Sequence, residues 1–181
     1  MTDLDRLASL TATELSSLLT ASESAPVDKH GGDWLAIVQL LTARLTEEGG
    51  TLTAEELNLG ATALDVALDS AEQAGVIDRN EAAIRRLNLM SVLLRLRGPN
   101  PDVALLNPQR MYGLFSTAVP LSAAQIREVP PNWRALDVDT IRRLRLVKNL
   151  VVPLLGVKSI LEQAGFADNL AVWEDALPRL P

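Results

Sequence analysis

Cysteine is absent from the 181 residues, and there is a single histidine. That excludes disulfides, thiolate metal sites and a cysteine nucleophile, and it suits a reducing compartment. Aromatic residues make up only 3% of the chain, so a core has to be built from aliphatic side chains. The longest apolar run, 150–157, contains Pro153 and Gly156 and is far shorter than the roughly 20 residues that span a bilayer. The opening MTDLDRLASL has no basic region followed by an apolar stretch, so no secretory leader is expected. No segment alternates apolar and polar residues for more than a few positions, which removes the usual strand signal. No glycine-rich phosphate loop is present either. The expectation from these gaps is a soluble, cytoplasmic, all-α protein with no membrane segment, no cofactor and no metal.

What is present is helical periodicity with clear punctuation. Two short helices fill 3–22, the second opened by the capping box Thr11-Ala-Thr-Glu14. A loop rich in Ser, Pro, Asp and Gly follows over 22–32. Asp33 is placed to cap a helix reaching Glu48, with Trp34, Ile37, Val38, Leu41 and Leu45 on its apolar face and Gly49-Gly50 as its stop. A second capping box, Thr53 to Glu56, opens a helix to about Ala74, striped by Leu57, Ala61, Leu64, Leu68 and Ala71. Asp78 caps a helix over Arg79–Arg97, whose second half is apolar on two sides and which Gly98-Pro99 ends. Six of the ten prolines fall between 99 and 131. This irregular middle should carry only short helices, near 102–106, 108–117 and 122–128, and a domain boundary near 98–100 is the alternative to one domain over 1–181.

The densest apolar content lies over 139–164. Ile141, Leu144, Val147 and Val151 make one stripe, and Leu150, Leu154, Val157 and Leu161 make another about a quarter turn away. With Pro153 at the junction, the pattern predicts a bent central helix around which about eight to nine helices, several short, form one compact bundle. Leu150–Leu155 is apolar on every side and reads as buried all round. A last helix runs through about Leu177.

Charge is unevenly distributed. Residues 1–78 hold 14 acids against 3 bases, giving −11; residues 79–158 hold 13 bases against 5 acids, giving +8; residues 159–181 hold 4 acids against 1 base, giving −3. Such segregation fits either internal complementation or a surface that meets a charged partner. Arg142, Arg143, Arg145 and Lys148 make the first half of the central stretch basic, with most of them expected on a solvated face.

Four further features bear on chemistry. The segment Ala71-Glu-Gln-Ala-Gly75-Val76-Ile-Asp-Arg79-Asn80-Glu81-Ala-Ala-Ile84-Arg-Arg86-Leu87 resembles a DNA-binding helix-turn-helix. The alanine, the turn glycine four residues later, the apolar residue after it and Ile84 nine beyond the glycine carry that likeness. The resemblance implies a recognition helix presenting Arg79, Asn80 and Arg86 to a groove, although Glu81 stands where an inward apolar residue is usual. A similar corner, EQAG followed three residues on by Asp, occurs at 72–78 and again at 162–168. His30 sits among Asp28 and Asp33, and Asp65, Asp69 and Glu72 line one helix face. Neither set has the partners a metal site needs, so a loop residue and a solvated acidic face are expected. Finally, Met111, Tyr112, Leu114 and Phe115 gather aromatic and apolar groups that would serve either as core or as a partner-binding patch.

With no catalytic constellation visible, the favoured reading is a non-enzymatic helical protein-interaction or regulatory protein with a protein partner or a second copy of itself. Met111, Tyr112 and Phe115 are its candidate contact residues. Nucleic-acid binding through Arg79, Arg86, Arg142, Arg143, Arg145 and Lys148 is the second reading, and an uncharacterised enzyme the third.

Overall fold

Every helix start that the capping residues predict is present, and the cap chemistry explains where the chain turns. The structure is a computed structural model describing residues 3–21, 33–130 and 132–181. Helix α1 is Asp3–Ala8 and α2 is Ala12–Thr20, opened by the Thr11–Glu14 capping box. Helix α3 spans Trp34–Glu48, α4 spans Ala54–Gln73 behind the Thr53–Glu56 box, and α5 spans Arg79–Arg97. A short 3-10 turn at Ala104–Leu106 leads into α6, Pro108–Ala118, and α7, Ala123–Glu128. After a 3-10 turn at Trp133–Ala135 come α8, Val138–Leu155, and one helical turn at Lys158–Leu161. A π-helical turn over Glu162–Phe166 then enters α9, Ala167–Ala176. No strand occurs among the described residues. The loop expected over 22–32, His30 included, lies outside them.

Two aspartates expected as caps, Asp33 and Asp168, make no cap bond. Asp33 precedes α3 but makes no side-chain cap hydrogen bond. The far end of α3 is closed from outside. Arg97, the last residue of α5, donates from its guanidinium to the Gly49 carbonyl at 3.0 Å and also to the Leu52 carbonyl. These are carbonyls that a helix end and its following turn leave unpaired. Glu48 in turn accepts from the Ala12 backbone N–H at 2.8 Å, so the end of α3 steadies the start of α2.

The buried apolar residues form one continuous cluster running from Leu7 to Leu180. Within it α2, α3 and α4 pack on one another, with Leu15, Leu41, Leu45, Leu57 and Leu68 fully enclosed. Gly60 lets α4 approach α3 closely: a Cβ there would sit 2.6 Å from a Leu45 methyl. The element joining this group to the rest is α5. It meets α3 and α4 on one side and α6 and α8 on the other, and it buries Leu87, Leu89, Leu93 and Leu94. Its two-sided burial agrees with the two apolar stripes read from the sequence, except that Leu96, on the second stripe, is 54% exposed.

The predicted central element over 139–164 needs correction. Helix α8 runs through Pro153 and stops at Leu155. Gly156 then brings the chain so near α5 that a Cβ would lie 3.0 Å from the Ser91 hydroxyl. The helical turn beyond it, Lys158–Leu161, is separate from α8. The stretch is therefore broken at Gly156, and α5 is the helix in contact with both groups. Burial around the proline is also one-sided. Leu150, Val151 and Leu154 are enclosed, but Val152 is 53% exposed. Ile141, expected on the buried stripe, is only half-buried.

Candidate functional site

Helix α8 and its contact with α5 bring together the two stretches on which the sequence places its basic candidates. Asp137 starts α8, accepting from the Thr140 backbone N–H at 2.8 Å and from its hydroxyl at 2.9 Å. Those two donors, the backbone N–H foremost, hold the Asp137 carboxyl below the usual aspartate range. From this cap, α8 buries Leu144, Val147, Leu150, Val151 and Leu154. Positions 138, 145 and 152 are seven residues apart and so fall on one line along the helix, opposite that buried face. This line carries Val138, Arg145 and Val152, with Ile141, Arg142 and Asn149 beside it. Val138 is 81% exposed. The outer face of α8 is therefore mixed, with basic groups between uncovered aliphatic ones.

Next to this face, α5 and α8 enclose a groove of about 550 Å³. Asp78, Asn80, Glu81 and Ile84 form one wall, and Arg142, Arg143, Arg145, Leu146 and Asn149 form the other, with Pro120 at the edge. Part of its charge is neutralised locally, by Arg85–Glu81 at 2.8 Å and Arg142–Asp139 at 2.9 Å. Arg143 and Arg145 make no ion pair among the described residues. The groove therefore carries carboxylates on one wall and guanidinium groups on the other, with Ile84, Leu146 and Pro120 as its apolar lining.

The other sequence candidates are distributed differently. Arg86 spans from α5 to α4, 3.2 Å from Asp65 and 3.7 Å from Asp69. The acidic ladder on α4 is thus partly a docking strip for a neighbouring helix rather than wholly solvated, and Arg86 is held against it. Arg79 is exposed at the start of α5. Lys148 donates to the Pro181 carbonyl at 3.3 Å. Met111 and Phe115 are fully buried, and Tyr112 is half-buried. Phe115 meets Trp173 edge-on at 5.1 Å and Tyr112 stacks on Phe166 at 4.6 Å. This cluster locks α6 to α9, so Met111 and Phe115 are packing residues and the aromatic middle is not an exposed partner patch. Among the described residues no group of three or more His, Asp or Glu side chains is gathered to hold a metal.

The helix-turn-helix resemblance holds at the corner and fails beyond it. Gly75 has φ 74°, and the Val76 N–H returns to the Ala71 carbonyl at 3.1 Å, closing α4 with a left-handed glycine. Val76, which should turn inward, is 37% exposed, and Ile77 is buried in its place. On α5, Glu81 and Ile84 face the groove shared with α8, and Arg85 and Arg86 are pinned by carboxylates. Of the residues the resemblance assigns to a recognition helix, Arg79 and Asn80 are exposed and Arg86 is held against α4. The related corner at 162–168 shares only the glycine, with φ 101° at Gly165; there Asp168 lies inside α9 and caps nothing.

Comparison with known proteins is negative throughout: no family model matches this chain, and no curated protein or solved structure does. No helix among the described residues is long and apolar enough to cross a membrane. The residues that sequence reasoning missed are Val138 and Val152. Their signal was present in the seven-residue spacing Val138–Arg145–Val152, which puts valine on the line opposite the leucines of α8.

Proposed function

We propose that the chain is a non-enzymatic protein-interaction module whose docking surface is the outer face of α8 together with the α5/α8 groove. The observation that carries this reading is the exposure of Val138 and Val152 on the same line as Arg145. Uncovered aliphatic groups beside basic ones favour a protein surface with apolar and acidic residues, because both kinds of contact are then satisfied at once. A nucleic acid would gain from Arg143 and Arg145, but it would leave the valines unused and meet Asp78 and Glu81 on the opposite wall.

The test is an anisotropy titration of a labelled acidic amphipathic helical peptide, and of duplex and single-stranded DNA, at about 50 and about 200 mM salt. Wild-type protein is compared with Val138→Asp/Val152→Asp and with Arg142→Glu/Arg145→Glu. Peptide binding that both variants weaken supports the reading. DNA binding at micromolar affinity or tighter, abolished by the arginine pair and indifferent to the valine pair, would replace it with a nucleic-acid function.

A further inference from the structure

We infer that the cavity bordered by α6, α7 and α9 is a binding site for a neutral sugar. It shares only Pro120 with the α5/α8 groove and does not rest on the docking reading of α8. Its volume of about 490 Å³ falls within the roughly 300–1,000 Å³ of small-molecule sites. Three helices supply the lining. Tyr112 and Ser116 stand four residues apart and share one face of α6. Asn169, Val172 and Trp173, at positions i, i+3 and i+4, share one face of α9. Gln125 comes from the first turn of α7. Tyr112 is stacked on Phe166 and Trp173 meets Phe115 edge-on, so both rings are held in place before any ligand arrives.

Two properties of the lining select the ligand. No charged side chain borders the cavity, in a chain of which 22% is charged. A phosphate, carboxylate or ammonium group would give up water there without meeting an opposite charge. The polar groups that do border it are neutral and largely unspent. The side chains of Tyr112, Ser116, Asn169 and Trp173 make no hydrogen bond among the described residues. Gln125 accepts from the Ser122 N–H at 2.8 Å through its Oε1, which leaves its amide N–H groups to donate. Trp173 is only 7% exposed, yet its indole N–H is neither paired nor enclosed. Buried indoles ordinarily find a partner, so this donor is the strongest single mark of a ligand. The indole and the amides donate, the Asn169 carbonyl accepts, and the hydroxyls of Tyr112 and Ser116 do both. Ligand hydroxyls, which also do both, satisfy such a set, while Val172 and the rings offer apolar surface to the C–H groups of a sugar. A wholly apolar ligand would instead strip water from these groups and leave them unpaired. Ser116, Gln125 and Asn169 are exposed, so water competes at the site and the Kd should be on the order of 1–10 mM.

Proton–nitrogen correlation spectra of the full chain test this, because the Trp173 indole N–H gives its own signal and those of Trp34 and Trp133 serve as references. Trp173→Phe assigns the signal. Glucose, galactose and N-acetylglucosamine are each added to about 100 mM. At least one should move the Trp173 signal saturably, with half-saturation on the order of 1–10 mM, and leave that of Trp34 in place. The response should not change between about 20 and about 500 mM salt, since neither partner is charged. Asn169→Ala and Ser116→Ala, both at exposed positions, should each weaken binding about threefold or more, with far-UV circular dichroism unchanged. The absence of a saturable shift with all three sugars overturns the inference, and so does a response that neither substitution alters. Tighter binding of glucose 6-phosphate or of adenosine also overturns it, by giving the cavity to an anion or to a base. The peptide titration on α8 reads a different surface, so failure of either proposal leaves the other to its own test.

Discussion

Replacing Arg86 with methionine keeps most of the aliphatic stem and removes only the guanidinium, which makes it a clean measure of the α4–α5 clamp. The side chain is 24% exposed, and its partners Asp65 and Asp69 are 50% and 64% exposed. Solvent therefore screens much of the attraction, and each ion pair contributes about 0.5 kcal/mol rather than the several that bare Coulomb energy suggests. Asp65 and Asp69 also stand four residues apart on one helix, and losing the cation between them restores about 0.3–0.5 kcal/mol of repulsion. Arg86→Met should cost about 1–1.5 kcal/mol, equivalent to roughly 3–5 °C in Tm for a chain of this size. Urea denaturation gives the value directly, with an unchanged m-value showing that the unfolded state is unaltered. Raising salt from about 20 to about 500 mM should shrink the difference by about half. Arg86→Lys should fall between, since an ammonium keeps the charge but loses the planar fork. A loss below about 0.3 kcal/mol at low salt would refute the clamp and return Arg86 to the basic groups open to a partner.

Three other substitutions probe different parts of the fold. Phe115→Ala removes a fully buried ring that meets both Trp173 and Tyr112, so it should cost about 3–5 kcal/mol in denaturant and flatten the near-UV circular dichroism. Ser16→Ala should be neutral or stabilise by up to about 1 kcal/mol in the same assay, because the Ser16 hydroxyl is buried without a hydrogen-bond partner. Glu56 accepts from the Thr13 hydroxyl at 2.6 Å, and that bond, followed by those from Thr53, holds its carboxyl below the usual glutamate range. A lowered folded value means that its contribution is present above the ordinary carboxylate range and is lost as pH falls through the folded value. Denaturation midpoints measured down an acid series should accordingly fall less steeply in Glu56→Gln.

Local chemistry made most of the helices legible. Thr11, Thr53, Asp78, Asn107 and Ser122 each accept from the backbone N–H three residues on, and such bonds depend only on nearby sequence. Tertiary neighbours were harder to read. An apolar stretch at 150–155 suggested burial on all sides, yet α8 has packed neighbours on one side only and Val152 points away from them. Periodicity identifies a stripe without naming what covers it, so the joining role of α5 was assigned to the more apolar 139–164. Asp33 shows the same limit at smaller scale: a favoured cap residue makes no cap bond when its backbone takes φ −92° and ψ 14°. The contact of Arg86 with α4 was not legible because its carboxylates lie on another helix, in a register that no local pattern records. Core packing is the default reading of Met111 and Phe115 and a partner patch the alternative, and the sequence does not name the neighbour because Trp173 of α9, which meets Phe115, lies some 50 residues further along the chain.

The arginines of α5 and those of α8 behave as two different populations, and this bears most directly on function. On α5, Arg85 reaches Glu81, Arg86 reaches α4, Arg95 lies 3.4 Å from the Ser91 carbonyl, and Arg97 closes the end of α3. These four are fixed within the fold, so part of the acidic charge of the first 78 residues is met by the basic charge of α5. On α8, Arg142 pairs only with Asp139, and both side chains are more than two-thirds exposed, where such a pair contributes little. Arg143 and Arg145 have no carboxylate at all among the described residues. Complementation of the acidic first 78 residues thus runs through Arg86, Lys148 and Lys158 are held within the fold, and Arg143 and Arg145 have no ion pair among the described residues. A helix that needed charge only for solubility would not also expose Val138 and Val152. The two together are the grounds for the proposed docking role of α8.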